Sequence, residues 1–154
     1  MTAYIGATLD ATYSASQLSG AEAGKAPGIG DRYVAHDGKE YKFVQYNSGA
    51  GAVAAVSGNF AYYYAPSGAS AGAITVVTSD LSDSATVGAG VLQSAPATGE
   101  YCWIQTRGPA TLTTALTAGA DGNALTAVGA TDGTIDVSEA VTDHVCAIAV
   151  DASA

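Results

Sequence analysis

Two histidines and two cysteines are the residues of this sequence best suited to metal binding or nucleophilic catalysis. His36 and His144 each adjoin an aspartate, but neighbouring residues on a strand point to opposite faces, and zinc needs three or four converging ligands. The sequence therefore does not predict a metal site at either histidine. Cys102 and Cys146 each lie in an apolar run. This setting favours buried free thiols, and a single bridge between neighbouring strands stays open as an alternative.

Pairs of acidic residues are the other pattern that could do chemistry. Asp80 with Asp83, and Asp132 with Asp136, could offer carboxylates to calcium. Their spacing lacks the succession of oxygen ligands found in calcium loops, which favours solvated turns. A serine or cysteine nucleophile would also need a nearby base and an orienting acid, and no such set is evident. We therefore predict that the protein is not an enzyme and holds no metal or other cofactor.

The charge distribution argues against nucleic acid as a partner. The net charge is −9, and residues 43–154 contain Arg107 as their single basic residue against nine acids. Phosphate contacts need lysine and arginine, so we expect no binding of DNA or RNA. No stretch approaches the roughly 20 apolar residues of a membrane span, and no secretory pattern opens the sequence. We expect a soluble protein with no membrane partner.

Strand patterns dominate the chain from residue 29 onward. An Asp-Gly pair at 37–38 separates two β-prone runs, which is a strong hairpin signal because the tight turn needs positive φ. In the second run Tyr41 and Phe43 share one face, and the clearest strand of the chain carries Trp103 and Ile104. About nine or ten short strands, with turns every 8–12 residues or so, predict an all-β fold. We expect an antiparallel β-sandwich or barrel, jelly-roll-like, with these four residues in its structural core.

Residues 1–28 differ from the rest in having no helical or alternating period. They are rich in small residues and carry the scattered large side chains Tyr4, Ile5, Leu9 and Tyr13. Apolar burial alone does not offset the entropy of ordering such a segment. It is therefore either a mobile tail or an extended arm whose backbone pairs with something else. We divide the chain into an N-terminal arm, residues 1–28, and a β-rich body, residues 29–154.

Three stretches of the body resemble motifs of a phage protein family. Residues 37–44 (DGKEYKFV) resemble a "dGkeYxfV" hairpin, and residues 99–110 (GEYCWIQTRGPA) resemble a "GxYgWvQxxGpa" strand. Residues 88–93, between them, are similar to a "vGvxqsa" connection, and the order and spacing match over residues 28–115. The family comprises the head decoration, or cement, proteins of tailed bacteriophages. Cys102 stands where a glycine is common in this family, and residues 1–27 match nothing in it.

The resemblance implies a structural protein of the virion, made in the host cytoplasm and located on the outer capsid surface. Such a protein binds the major capsid protein and cements neighbouring subunits. A homo-oligomer, a dimer or trimer on a local symmetry axis, is expected. The arm would add a strand to an adjacent subunit through Tyr4, Ile5, Leu9 and Tyr13. Deleting residues 1–14 is expected to weaken capsid attachment and to leave the body folded.

Two other functions stay open from the sequence. A phage tail tube or fibre component would assemble into long polymers instead of binding the shell. A glycan-binding β-sandwich module would stack sugars on Tyr62, Tyr63, Tyr64 and Trp103. In that case the fluorescence of Trp103 would respond to sugars, whereas a buried tryptophan would not.

Overall fold

The structure, a computed structural model, describes residues 7–66, 74–116 and 119–150. Within these ranges the fold is nearly all β, which confirms the predicted fold class. The strands are β1 (Arg32–Val34), β2 (Glu40–Tyr46), β3 (Phe60–Tyr64), β4 (Val76–Thr78), β5 (Ser84–Leu92), β6 (Tyr101–Arg107), β7 (Ala124–Thr126), β8 (Asp136–Val137) and β9 (Val145–Ile148). A short helix, α1 (Ala15–Leu18), precedes them, and a single 3-10 turn (Leu81–Asp83) leads into β5. No helix in these ranges has the length and apolar character of a membrane span.

The barrel closes on β2. One edge of this strand pairs antiparallel with β6, from Glu40 to Gln45. The other edge is shared, because β1 pairs with its first half and β4 pairs with Gln45 and Tyr46 at its end. With β3 and β5, the circuit β2-β4-β3-β5-β6-β2 forms a closed barrel. The predicted hairpin of β1 and β2 is present, and its turn places Gly38 at φ +82°.

One strand pair departs from the expected antiparallel arrangement. β4 lies between β2 and β3 and runs parallel to β2 and antiparallel to β3. The chain leaves β2, crosses through residues 47–59 to β3, and then turns back into β4. β3 runs in the opposite direction to β2 and does not pair with it, because β4 lies between them. The turn from β3 into β4 reverses the chain once more, so β4 runs in the same direction as β2. The sheet is therefore mixed.

Three apolar clusters occupy the barrel interior and its two outer faces. Side chains alternate between these layers along β2, β3 and β6, as the strand geometry requires. The interior cluster consists of Val44, Tyr46, Ala61, Val77, Ala89, Leu92, Cys102 and Ile104. On one outer face, Tyr41, Phe43 and Trp103 lie beneath residues of the N-terminal segment, defined as residues 7–28. On another, Phe60, Tyr62 and Val91 are covered by Leu125, Ala127, Ile135 and Ala149.

The residues that cover the outer face formed by Phe60, Tyr62 and Val91 belong to, or directly flank, the strands of a separate three-stranded sheet. Its order is β8-β7-β9, and both pairings are antiparallel. Leu125 in β7, opposite Ala147 in β9, faces the barrel. Where the N-terminal segment and this sheet cover them, the strands of the barrel are buried on both faces, which explains why their sequences show little of the apolar–polar alternation of a sheet with one solvated face.

Candidate functional site

A cluster of aromatic rings lies where the N-terminal segment meets the barrel. Tyr41, Phe43 and Trp103 are all buried there. The rings of Phe43 and Trp103 meet edge to face, with centroids 5.2 Å apart, and Phe43 stacks on Tyr101 at 6.1 Å. The indole N–H of Trp103 has no hydrogen-bond acceptor in the described part of the chain. Packing, and not hydrogen bonding, therefore holds this indole in place.

The predicted arm residues fall into two groups. Leu9 and Tyr13 pack against the aromatic cluster of their own chain, whereas Tyr4 and Ile5 lie outside the described residues. The ring of Tyr13 meets Phe43 edge to face at 5.4 Å, and the Tyr13 backbone forms an antiparallel bridge with Tyr101. Leu9 and Tyr13 thus have partners within the chain. The proposed contact of this arm with another subunit stays a prediction.

Of the four aromatic residues considered for sugar stacking, Tyr62 and Trp103 are buried, and Tyr63 and Tyr64 are partly buried. Trp103 is 3% exposed and Tyr62 is fully buried. The Tyr62 hydroxyl donates to the carbonyl oxygens of Thr131 and Thr134, and burial raises the pKa of Tyr62. Tyr63 is partly buried beneath the ammonium group of Lys42, which lies 5.4 Å from the ring centroid. These environments disfavour the glycan-binding alternative.

Asp80 and Asp83 hold a loop together, and the prediction of solvated turns is wrong for this pair. Asp80 is 2% exposed, and its carboxylate accepts hydrogen bonds from the Gly51 N–H at 2.8 Å and from Ser82. Asp83 accepts from the Ala50 N–H at 2.5 Å. Burial alone would raise the pKa of Asp80, but the hydrogen bonds from Ser82 and Gly51 outweigh burial and lower it. The pair binds the backbone N–H groups of Ala50 and Gly51, which is a structural role.

The histidines and cysteines are widely distributed over the fold. His36 and His144 are exposed, in the β1–β2 turn and just before β9. Cys102 and Cys146 are free thiols in the interior cluster and beneath the three-stranded sheet, respectively. In the ranges that the structure covers, no group of three or more His, Cys, Asp and Glu side chains could hold a metal ion.

One nucleophile-like spacing escaped the sequence analysis. Residues 68–72 read Gly-Ala-Ser-Ala-Gly, the Gly-x-Ser-x-Gly pattern, and they lie outside the described residues. A nucleophile elbow joins a strand to a helix that begins at once after the serine. Here β3 precedes the pattern, but a turn and strand β4 follow it from Ile74 onward. The local sequence therefore matches the spacing without the strand–turn–helix context.

The three stretches that carry the family resemblance come together in the barrel. Residues 37–44 form the β1–β2 turn and most of β2, residues 99–110 contain β6, and residues 88–93 contain the end of β5. β6 lies between β2 and β5 and pairs with both. Arg107 in β6 donates to Glu40 in β2 at 3.0 Å, and the Gln105 side-chain amide donates to the Pro109 carbonyl at 2.9 Å. The motifs therefore describe one contiguous, three-stranded part of the fold.

Comparisons with known proteins identify no relative. The chain matches no protein-family model, no curated protein and no solved structure.

Proposed function

We propose that the protein is a structural component of a tailed-phage virion, which binds the outside of the capsid and cements neighbouring subunits of the major capsid protein. The observation that carries this proposal is the adjacency of β2, β6 and β5. Three separate sequence matches would be weak evidence if they fell on unrelated parts of the molecule. They fall instead on strands that pair with each other, so the resemblance concerns one packed unit.

The architecture suits binding through a rigid body. The barrel interior is filled by its own side chains, and two outer faces are covered by other parts of the chain. A closed barrel also leaves few strand edges at which copies of the protein could aggregate. The acidic composition suits a protein that must bind a shell and avoid the packaged DNA. Binding, and not catalysis, is then the mechanism, with a dimer or trimer on a local symmetry axis as the expected assembly.

Co-sedimentation with undecorated, expanded phage capsids tests this function. We expect saturable binding at a fixed number of copies per shell, and a higher temperature of shell disassembly in the presence of the protein. An acidic protein of similar mass, added at the same concentration, is the control for trapping in the pellet. Absence of binding would contradict the proposal. Long filaments formed by the protein alone would favour the tail tube or fibre alternative instead.

A further inference from the structure

The outer edge of β9 offers backbone groups that no strand of the described chain uses. β9 pairs with β7, and the amide and carbonyl of Ala149, just beyond β9, continue that ladder to Asn123 at 2.9 Å and Gly122 at 2.8 Å. Because alternate residues of an antiparallel strand bond to the same neighbour, the N–H and C=O of Ile148 point away from β7. In the ranges that are described, β7 is the single strand partner of β9.

Exposed β-branched side chains line the same edge. Val145 is 55% exposed, Ile148 is 56% exposed and Val150 is 80% exposed. Proteins usually protect an open edge with lysine, proline or a very short strand. Among the described strands, β1 is also an edge, but it is three residues long and carries the exposed Arg32, and β8, at the opposite edge of the same sheet as β9, is two residues long and carries Asp136. β9 has the sequence Val-Cys-Ala-Ile and contains neither lysine nor proline.

The charge around this sheet identifies the kind of partner. Residues 108–150 contain no lysine or arginine and five acids, which are Asp121, Asp132, Asp136, Glu139 and Asp143. Asp143 lies two residues before β9, and its carboxylate accepts the Glu139 and Ala140 N–H groups at 3.1 and 3.0 Å. A second copy would bring this acidic stretch of chain against an identical one, and the like net charges disfavour self-pairing. A basic segment would meet complementary charge.

We infer that the free edge of β9 binds an extended segment of the major capsid protein in which apolar side chains alternate with lysine or arginine. The segment adds a fourth strand to the β8-β7-β9 sheet. Its backbone pairs with Ile148, its apolar side chains pack on Val145 and Ile148, and its basic side chains face the acids of this sheet. The identity of the partner rests on the proposed function. The chemistry of the edge does not depend on it.

Matched lysine substitutions on two edge strands, β9 and β1, test this inference on the full-length chain. Ile148→Lys adds a charge of the same sign as the partner and removes the apolar contact. Val34→Lys, on β1, alters a residue of similar exposure, 63% against 56%. We expect Ile148→Lys to weaken binding to undecorated capsids at least tenfold and Val34→Lys to change it less than twofold. Circular dichroism and thermal melting confirm that both variants are folded.

A peptide titration tests binding at the β9 edge in the absence of capsids. The probe is acetyl-Val-Lys-Val-Lys-Val-amide, and the matched control is the same peptide with glutamate in place of lysine. We expect the lysine peptide alone to shift the backbone amide resonances of Ile148 and Val150 in a nitrogen-15 correlation spectrum, and added salt to reduce the effect. Absence of these shifts, or shifts on β1 instead, would overturn the inference.

The two experiments also distinguish the inference from the proposed function. In one outcome, the wild-type protein and Ile148→Lys bind capsids equally well, and the lysine peptide causes no shifts. This outcome would refute the β9 edge as the binding site, but the decoration role would still hold. Failure of the wild-type protein to bind capsids would refute the decoration role, and with it the capsid protein as the partner. In that case, shifts at Ile148 would still establish a basic-strand binding edge.

Discussion

The backbones of Tyr13 and Tyr101 form a two-way antiparallel bridge. The Tyr13 N–H donates to the Tyr101 carbonyl at 2.9 Å, and the Tyr101 N–H donates to the Tyr13 carbonyl at 2.8 Å. Tyr101 begins β6, the strand with the most extensive part of the family resemblance. The N-terminal segment is thereby joined to the barrel at the edge of its aromatic cluster. A deletion through residue 14 would remove contacts within the chain as well as any contact with a capsid.

Replacement of Tyr13 tests the importance of this contact for stability. Tyr13→Ala removes a half-buried ring and its edge-to-face contact with Phe43. We expect the free energy of unfolding to fall by about 2 kcal/mol, since aromatic pairs contribute beyond their buried area. Thr12→Ala, at the exposed neighbouring position, should change it by less than about 0.5 kcal/mol. Urea denaturation measures both variants, and equal stabilities would contradict the docked position of the segment.

Gly90 should be far less tolerant of substitution than Gly99. Both have positive φ, +149° and +87°, but a Cβ on Gly90 would lie 2.4 Å from the Gln105 carbonyl oxygen, while one on Gly99 meets nothing within 4 Å. Gly99→Ala therefore carries backbone strain alone, about 1–2 kcal/mol. Gly90→Ala must also push β5 away from β6, and we expect a loss above about 3 kcal/mol or failure to fold. Thermal unfolding distinguishes the two, and similar melting temperatures would refute the close approach of these strands.

The Asp80 carboxylate should stabilise the fold in its ionised form. Because its pKa is lowered in the folded state, this contribution is present above the unfolded pKa of about 3.9 and is lost as the pH falls through the folded value. At pH 7, Asp80→Asn should lower the free energy of unfolding by about 1.5–3 kcal/mol, as for hydrogen bonds to charged groups. Denaturation at pH 7 and at pH 3 measures the difference in the free energy of unfolding between the wild type and Asp80→Asn. We expect this difference to be smaller at pH 3. Glu22→Gln, in an exposed ion pair with Lys25, is the control and should change little at either pH. A loss of unfolding free energy in Asp80→Asn that does not depend on pH would contradict stabilisation by the ionised Asp80 carboxylate.

Cys102 should resist alkylation in the native protein. Burial raises the pKa of its thiol to about 12, and burial also raises the pKa of the less enclosed Cys146. With iodoacetamide at pH 8, we expect Cys102 to be labelled more slowly than Cys146, and both to be labelled at similar rates in urea. The raised pKa also makes the free energy of unfolding depend on pH. The contribution of the neutral Cys102 thiol to this free energy is complete below the unfolded pKa of about 8.5 and declines as the pH rises towards the folded pKa. Peptide mass mapping reads the labelling, and rapid native modification of Cys102 would contradict its interior position.

Local sequence patterns predicted the parts of the fold that depend on neighbouring residues. The Asp37-Gly38 turn needs positive φ, and the shared face of Tyr41 and Phe43 follows from strand geometry. These features identified the hairpin of β1 and β2. Tyr41, Phe43, Trp103 and Ile104, expected in the core, are all buried.

Features that depend on long-range contacts were not visible in the sequence. The hydrogen bond from Gly51 to Asp80 spans 29 residues, so Asp80 looked like an ordinary turn acid. The N-terminal segment has no period because it is held by a β-bridge to Tyr101, by a hydrogen bond from Ser94 and by packing on rings from distant strands. The parallel pairing of β2 and β4 depends on the crossing through residues 47–59, where small residues give no strand signal. The open edge of β9 becomes apparent only once its pairing with β7 is known.

Cryo-electron microscopy of expanded capsids saturated with the protein tests whether it decorates the outer capsid surface. We predict regularly placed new density on that surface, at a local symmetry axis, into which the barrel and its β8-β7-β9 sheet fit. The same capsids without the protein are the reference. A saturated sample whose reconstruction is indistinguishable from the bare shell would refute decoration of the capsid by this protein.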